Sequence, residues 1–264
     1  MLESAELSFI PNVAASLMPV RKLKLSDLVG SLRSGWEDFA AYPSHAVMLA
    51  IIYPIVGLLI ARVLHGYSFL PLLFPLAAGF ALLGPFAAIV FYDISRQRER
   101  GVAPSVAAVR DIIRSPSSSA IVVLGAMLAV LFVIWVASAQ STYNATFGFT
   151  PVFSMPRFLQ NVTGTAEGRK FLLELSAAGM GFAVVAYSIS VISFPFLIDR
   201  NASATDAILA SLRAIARNPL VMALWGLIVA SLLVLASIPA FLGLAVVVPV
   251  LGHATWHLYR RVAS

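Results

Sequence analysis

Of the 264 residues, 60% are hydrophobic and 11% are charged, whereas soluble domains are about 45–50% apolar and about 25% charged, so this composition excludes a soluble domain and predicts a bilayer protein. The formal net charge is +6, but the basic residues flank apolar segments, which indicates membrane topology and excludes nucleic acid as the partner. The chain has no cysteine, which excludes disulfides, thiolate metal sites, iron–sulfur clusters and haem attached through cysteine.

The amino end is predicted to be a lead-in, residues 1–24, that is irregular or lies on the membrane surface. It does not resemble a cleaved signal peptide, because Glu3 and Glu6 stand where basic residues are needed. From residue 25 to 262 we expect a single membrane domain.

Six apolar stretches are each long enough to cross a bilayer, which takes about 20 residues. They predict an all-α, polytopic fold with six transmembrane helices, at approximately 45–64, 68–92, 118–139, 171–197, 219–238 and 240–258. The fifth and sixth are joined at Ser237-Ile238-Pro239 by almost no loop, which predicts a tight helical hairpin. The aromatic-rich segment Gln140–Gly168 is expected to lie against the membrane surface.

A short sequence motif occurs twice, at Val109–Pro116 and Leu212–Pro219, and each copy is followed directly by a long apolar stretch. Each has arginine six and two positions before its proline and apolar residues seven and four positions before it, on one helix face. Trp36–Pro43 keeps the apolar offsets without the arginines, so we interpret it as a diverged copy. The spans are thus predicted to form three hairpin repeats, each preceded by a cytoplasmic amphipathic helix, at 25–93, 104–198 and 202–260.

Local signals predict where the three amphipathic helices begin. Ser26-Asp27 is the expected cap of the first, Pro104 opens the second, and Ser203 caps the third. The apolar face of the first is expected at Leu28, Leu32, Trp36 and Phe39.

The basic residues predict the orientation of the chain. Of the 18, 14 lie on the side that holds both termini and 4 on the other, so both termini are predicted to be cytoplasmic. Six arginines are expected to contact lipid headgroups or a partner: Arg110, Arg114, Arg213, Arg217, Arg260 and Arg261. The amphipathic helices could serve only as anchors that fix the topology, or they could form a collar around a pseudo-threefold centre where a partner or an anionic ligand docks.

Two histidines near the end of the sixth span are candidate ligands. His253 and His257 are four residues apart and share a helix face, so they could ligate one metal ion. His45 begins the first span at the same predicted depth, and it could join a metal site or flank a haem with one of them. Asp93 and Asp199 end two other spans nearby. The alternative is that these histidines pack and hydrogen-bond at the membrane interface.

Three stretches carry a family resemblance: Gly84–Arg96, Ser193–Arg200 and Pro249–Arg261. Over roughly residues 20–262 the chain resembles a bacterial family of predicted integral membrane proteins, domain-of-unknown-function family 2189. The resemblance implies a bacterial inner-membrane location and association with respiratory or other membrane complexes. It brings no established active site.

The sequence therefore predicts a non-enzymatic inner-membrane protein, an accessory, structural or assembly component of a membrane complex or a homo-oligomer. Ionisable groups are nearly absent from the predicted bilayer centre, which argues against an ion relay, and small residues such as Ala177 and Gly181 permit close helix contact. A channel or transporter for a small solute is the alternative, with spans unwound at Pro54, Pro195 or Pro249. A metal- or haem-binding membrane protein is the second alternative, and otherwise no cofactor is expected.

Overall fold

The computed structural model describes residues 18–43, 75–76, 79, 81–103, 112–148, 154–239 and 241–263. These residues form helices with short connections, and no strand occurs among them, so the all-α prediction holds for this part of the chain. The first predicted span, most of the second and the helix expected from Pro104 lie outside the described residues.

The described helices follow one another along the chain. A 3₁₀ turn at Ala81–Leu83 precedes the second of them. In order they are α1 (Leu25–Ala41), α2 (Gly84–Ala87), α3 (Ile89–Glu99), α4 (Ser118–Phe147), α5 (Met155–Gly164), α6 (Ala166–Ser190), α7 (Ser193–Asp199), α8 (Ala204–Arg217), α9 (Pro219–Ser237) and α10 (Leu244–Ala263).

Three helical stretches of the described residues are long and apolar enough to cross a membrane. They are α4, the stretch Ala166–Asp199 that contains α6 and α7, and α9, and they correspond to the third, fourth and fifth predicted spans. α4 continues to Phe147, so the beginning of the segment expected on the membrane surface is instead part of this helix. The short helix α5 occupies most of the remainder.

α10 covers the sixth predicted span, but it is not among the three apolar stretches. Its amino-terminal part is apolar, whereas the part from Leu251 onward carries two histidines and two arginines and is largely buried. The carboxyl-terminal half of α10 is therefore surrounded by other helices and not by lipid alone.

The connection between α9 and α10 is a compact turn, although it is longer than predicted. Its described residues are 238–239 and 241–243, with hydrogen bonds from Phe241 N to Ser237 O and from Leu242 N to Pro239 O at 3.1 and 3.0 Å. Gly243 allows the close approach, because a Cβ there would lie 2.7 Å from the Ala236 carbonyl oxygen.

The fourth span is interrupted between α6 and α7, just before Pro195, whose ring cannot continue the preceding helical turn. Helix α8 supplies hydrogen-bond partners at this break. The Ser211 hydroxyl oxygen accepts from Ile192 N at 3.4 Å, and the Ser193 hydroxyl donates to the Ala207 carbonyl at 2.9 Å. The break is thus closed by protein contacts with α8.

Helices α1 and α8 begin in similar ways. In α8 the Ser203 hydroxyl accepts from Asp206 N at 3.1 Å while the Asp206 carboxylate accepts from Ser203 N at 3.2 Å, so the predicted cap is confirmed. In α1 the Asp27 carboxylate accepts from Lys24 N at 2.7 Å. Lys24 precedes the helix and Ser26 lies within it, so of the predicted Ser26-Asp27 cap Asp27 takes part and Ser26 does not.

The buried faces of α1 and α8 coincide when residues are counted back from Pro43 and Pro219. In each helix the residues twelve, eight and five positions before the proline are buried: Ser31, Gly35 and Asp38 in α1, and Ala207, Ser211 and Ala214 in α8. Trp36 and Leu212, seven positions before it, are exposed. The predicted apolar face of α1 is therefore split, with Leu28 and Phe39 buried and Trp36 outside.

The amphipathic segments contact one another end to end. Asn218, which follows α8, accepts from Leu23 N at 2.7 Å and donates to the Arg21 carbonyl at 3.0 Å, just before α1. Ser117, which precedes α4, donates to the Arg200 carbonyl at 3.0 Å, just before α8. The end of one segment thus adjoins the start of another at both places.

Helices α3, α7 and α10 pack together beside α1. Gly252 of α10 lies against α3, because a Cβ there would be 2.8 Å from the Phe91 Cβ. Gly35 of α1 lies against α10, because a Cβ there would be 2.6 Å from the Ala254 nitrogen. Glycine at these positions lets the helices approach at backbone distance, and α1 is thereby fixed along the carboxyl-terminal half of α10.

Candidate functional site

A buried polar cluster lies where α1, α3 and α10 meet. Its five side chains, called here the Asp38 cluster, are Asp38 from α1, Ser95 and Arg98 from α3, and His253 and His257 from α10. Asp38, Ser95 and His253 are 4%, 1% and 1% exposed. Polar groups buried to this degree must find partners inside the protein.

The Asp38 carboxylate joins the three helices. Its Oδ1 forms an ion pair with Arg98, and its Oδ2 accepts from the Ser95 hydroxyl and from His257 Nε2, the latter at 2.8 Å. Burial alone would raise the pKa of Asp38, but the hydrogen bonds from His257, Ser95 and Arg98 and the charge on His257 together outweigh it. The pKa of Asp38 is therefore lowered, and the group is a carboxylate at neutral pH.

Ser95 extends the cluster to the second histidine. Its oxygen lies 2.8 Å from His253 Nδ1. Because the hydroxyl has one hydrogen, which it donates to Asp38, its oxygen accepts from the Nδ1–H of His253. A hydrolase triad places the imidazole between hydroxyl and carboxylate, whereas here the hydroxyl lies between imidazole and carboxylate. The arrangement therefore links α1, α3 and α10, and its order differs from that of a hydrolase triad.

The structure brings both predicted histidine ligands into this cluster. The Asp38 Oδ2 lies 4.0 Å from His253 Nδ1 and 2.8 Å from His257 Nε2, so the shared helix face predicted from their spacing is turned toward α1. Among the described residues, no group of three or more His, Cys, Asp or Glu side chains is arranged to hold a metal ion. His45 lies outside the described residues, and the metal or haem site stays a prediction.

Asp38 and Ser95 are members of the cluster that the sequence did not predict. The predicted apolar face of α1 did not point to Asp38, because at about 100° per residue Asp38 lies outside the arc of Leu28, Leu32, Trp36 and Phe39. Its burial, and with it the need for a partner from another element, became evident only from the packing of α1. Nothing in the local sequence indicates that the partners come from α3 and α10.

A second group of contacts ties the end of α3 to α7. Arg96 forms an ion pair with Asp93 and also donates to the Ile198 carbonyl of α7. Asp93 additionally accepts from Gln97 at 2.7 Å. Asp93 is thus occupied by neighbours on its own helix and does not join the histidines, although they lie on neighbouring helices.

The end of α10 is tied to the ends of the other two helices. Arg260 lies 3.0 Å from Glu99 of α3 and 3.3 Å from Asp199 of α7. Tyr259 donates to Asp199 at 2.7 Å, and Trp256 donates to Glu99 at 3.2 Å. Asp199 therefore binds an arginine and a tyrosine, and not His253 or His257.

Aromatic side chains fill the space between these helix ends. Trp256, Tyr259 and Phe196 are fully or almost fully buried, and the Phe196 and Tyr259 rings lie 6.5 Å apart in an edge-to-face arrangement. The described ends of α3, α7 and α10 thus form a packed core.

The six arginines predicted to contact headgroups divide into different environments. Arg114, Arg213 and Arg217 are exposed. Arg260 is paired with two carboxylates, and Arg261 lies 3.4 Å from the Ser31 hydroxyl. Arg110 lies outside the described residues.

Residues 73–199 match the model of the family described as predicted integral membrane protein, domain-of-unknown-function family 2189. The family resemblance seen in the sequence is therefore confirmed over this central part of the chain. Together with the three long apolar helical stretches among the described residues, the match identifies an integral membrane protein in contact with the lipid bilayer. Comparison with curated proteins and with solved structures gave no match.

Proposed function

We propose that this chain is a non-enzymatic accessory or structural component of a complex in the bacterial inner membrane, with both termini in the cytoplasm. The observation that carries the proposal is the position of Asp38 between three helices, where its two oxygens bind Ser95, Arg98 and His257. These side chains have the chemistry of an active site, but the contacts they make with Asp38 hold three helices together.

The exposed surface of the membrane helices supports the same role. Only 28% of the most apolar window of α4 and 17% of that of α9 are buried. On α9 the exposed residues Leu220, Leu227 and Val234 recur at seven-residue intervals, which gives a stripe on one face of the helix. Such a stripe can contact lipid or a helix of another membrane protein.

We also propose the six-span arrangement in three repeats. Its support is the matching buried register of α1 and α8, their similar amino-terminal caps, and the end-to-end contacts at Asn218 and Ser117. A cyclic order of three segments around α3, α7 and α10 would produce these contacts, and the third segment would be the one that precedes Pro116.

A transporter is the second candidate, and the break before Pro195 is the observation that favours it. Broken helices form substrate sites in transporters when their freed backbone groups line a cavity. Here Ser211 accepts from Ile192 N, and Ser193 donates to the Ala207 carbonyl. Protein contacts thus occupy positions that a substrate would need, so we place this candidate second.

Binding of a metal or haem at His253 and His257 is the third candidate. It rests on their position on one face of α10 beside Asp38. Metal analysis and an absorption spectrum of the purified protein test it. A stoichiometric metal or a Soret band that is lost in His257→Ala would replace the accessory role with a cofactor-binding one.

Purification in mild detergent from the native membrane tests the accessory role. We expect another membrane protein in stoichiometric amount, lost in Leu227→Trp on the α9 stripe and retained in the matched control Leu173→Trp, an exposed position on α6. A protein that purifies alone and moves a solute when reconstituted in liposomes would overturn the proposal in favour of the transporter.

A further inference from the structure

We propose that the exposed apolar stripes of α1 and α8 insert into an anionic phospholipid leaflet, with the Trp36 ring at headgroup depth. On α1 the stripe consists of Leu25, Val29 and Trp36, which are 62%, 69% and 54% exposed. Their spacing of four and seven residues places them on one side of the helix. This inference does not depend on the accessory role.

The stripe of α1 lies beside the packed face of the helix. At about 100° per residue, it is about a third of a turn from the face that carries Ser31, Gly35 and Asp38. Arg33 and Glu37, both exposed, follow on its other side. Going around α1, the face packed against protein is therefore followed by an exposed apolar face and then by a charged face. This is the arrangement of a helix that lies in the membrane interface.

Helix α8 has the same rotational order. Its packed face at Ala207, Ser211 and Ala214 is followed by an apolar face and then by a charged edge. Leu209 and Leu212 are the exposed residues of that apolar face, and the next edge carries Arg213 and Arg217 together with Asp206, which is hydrogen-bonded to Ser203. Asn218 joins the end of α8 to the start of α1, so the two helices that carry the stripes adjoin each other.

The position of α8 along the chain indicates lipid as the occupant. α8 ends at Arg217, and α9, which is long and apolar enough to span a membrane, begins at Pro219. A single residue, Asn218, separates the two helices. The chain itself therefore holds α8 at the membrane boundary, where an apolar stripe with a charged edge meets the acyl chains and headgroups.

The charges next to the stripes complement an anionic surface. No carboxylate among the described residues forms an ion pair with Arg213 or Arg217, and the Arg33–Glu37 pair is itself largely exposed. Lys22 and Lys24 add exposed basic groups before α1. Basic residues at an interface favour anionic headgroups over zwitterionic ones.

Trp36 provides a direct test, because the other three tryptophans, Trp135, Trp225 and Trp256, are buried. The full chain is reconstituted in vesicles of equal parts phosphatidylcholine and phosphatidylglycerol, and the Trp36 signal is the difference between wild type and Trp36→Phe. We expect brominated phosphatidylcholine to remove most of this signal, and aqueous acrylamide to quench it much less than it quenches free tryptophan in water. Quenching by acrylamide as strong as that of free tryptophan would place Trp36 in water, and protection from both quenchers would place it under protein; either result overturns the proposal.

A pair of charge variants tests the preference for anionic lipid. The blue shift of the Trp36 emission should be larger in the mixed vesicles than in pure phosphatidylcholine. Arg33→Gln should reduce this difference and Glu37→Gln should increase it, since the two exposed neighbours carry opposite charges and occupy the same surface. An unchanged difference in both variants would overturn the anionic preference, even if bromine quenching had shown insertion.

Discussion

His257 Nε2 lies 2.8 Å from Asp38 Oδ2, although the two residues are 219 positions apart. The contact fixes α1 along α10. The chain just before α1 also binds the end of α10, since Arg21 N donates to the Val262 carbonyl at 2.9 Å. The first and last described helices are therefore fastened to each other. Because α3 supplies Ser95 and Arg98 to the same carboxylate, the strength of this junction depends on one acidic side chain.

Replacing that side chain should destabilise the protein. In Asp38→Asn the ion pair with Arg98 is lost. The new amide group also turns N–H donors toward side chains that donated hydrogen bonds to the carboxylate. Removing one partner of a buried pair costs about 3–5 kcal/mol, and we expect about 3 kcal/mol here because Arg98 is partly exposed. Thermal unfolding in detergent measures the loss.

The matched control for this variant is Glu37→Gln, one position earlier on the same helix. Glu37 forms an exposed pair with Arg33, and such pairs contribute about 0–1 kcal/mol. Its unfolding temperature should stay close to that of the wild type. Equal losses in the two variants would show that Asp38 has no special role in the junction.

The contribution of Asp38 should depend on pH in a defined direction. Its pKa is lowered from the ordinary value of 3.8, so the stabilisation is complete above that value and is lost as the pH falls through the lower, folded pKa. The gap in stability between wild type and Asp38→Asn should therefore narrow as the pH falls below 3.8. Narrowing already near about pH 6.5, where histidine titrates, would contradict the prediction.

A methyl group at Gly35 should separate α1 from α10. Its Cβ would lie 2.6 Å from the Ala254 nitrogen and 2.8 Å from the Ala254 Cα, and these backbone atoms cannot rotate away. Overpacking of this kind costs about 1–3 kcal/mol, so Gly35→Ala should lower the unfolding temperature. Gly181→Ala is the control, since nothing lies within 4 Å of its added Cβ, and alanine favours a helix over glycine by about 1 kcal/mol.

The membrane helices were predictable from the sequence because apolar length is a local property. A stretch of about 20 apolar residues predicts a span without knowledge of its neighbours, and α4, α9 and the stretch Ala166–Asp199 appear where they were expected. α10 is not among these three apolar stretches, so the sixth predicted span stays a prediction. Its carboxyl-terminal half is buried by contact with α1 and α3, and such contacts are not encoded within α10.

The Asp38 cluster could be predicted only in part. The spacing of His253 and His257 predicts that they share a helix face, and they do. Their partners could not be inferred, because Ser95 is 158 positions from His253 and 57 positions from Asp38. Such pairings depend on how three helices pack, and no sequence period specifies them.

The split face of α1 shows a further limit of periodicity. Leu28, Trp36 and Phe39 satisfy the same helical spacing, but Trp36 is exposed and the other two are buried. When the apolar face of a helix is wider than the protein surface that covers it, some of its apolar residues stay exposed. A hydropathy pattern cannot distinguish residues buried by protein from residues in contact with lipid.

The orientation can be tested cleanly because the chain has no cysteine of its own. Arg100, just after α3, and Gly164, at the end of α5, lie on either side of α4 in the sequence, and both are exposed. By the positive-inside rule, Gly164→Cys should react with an impermeant maleimide on intact cells, whereas Arg100→Cys should react only after permeabilisation. The reverse pattern would invert the proposed topology. Labelling of both positions from the same side would mean that α4 does not cross the membrane, despite its length of 30 residues.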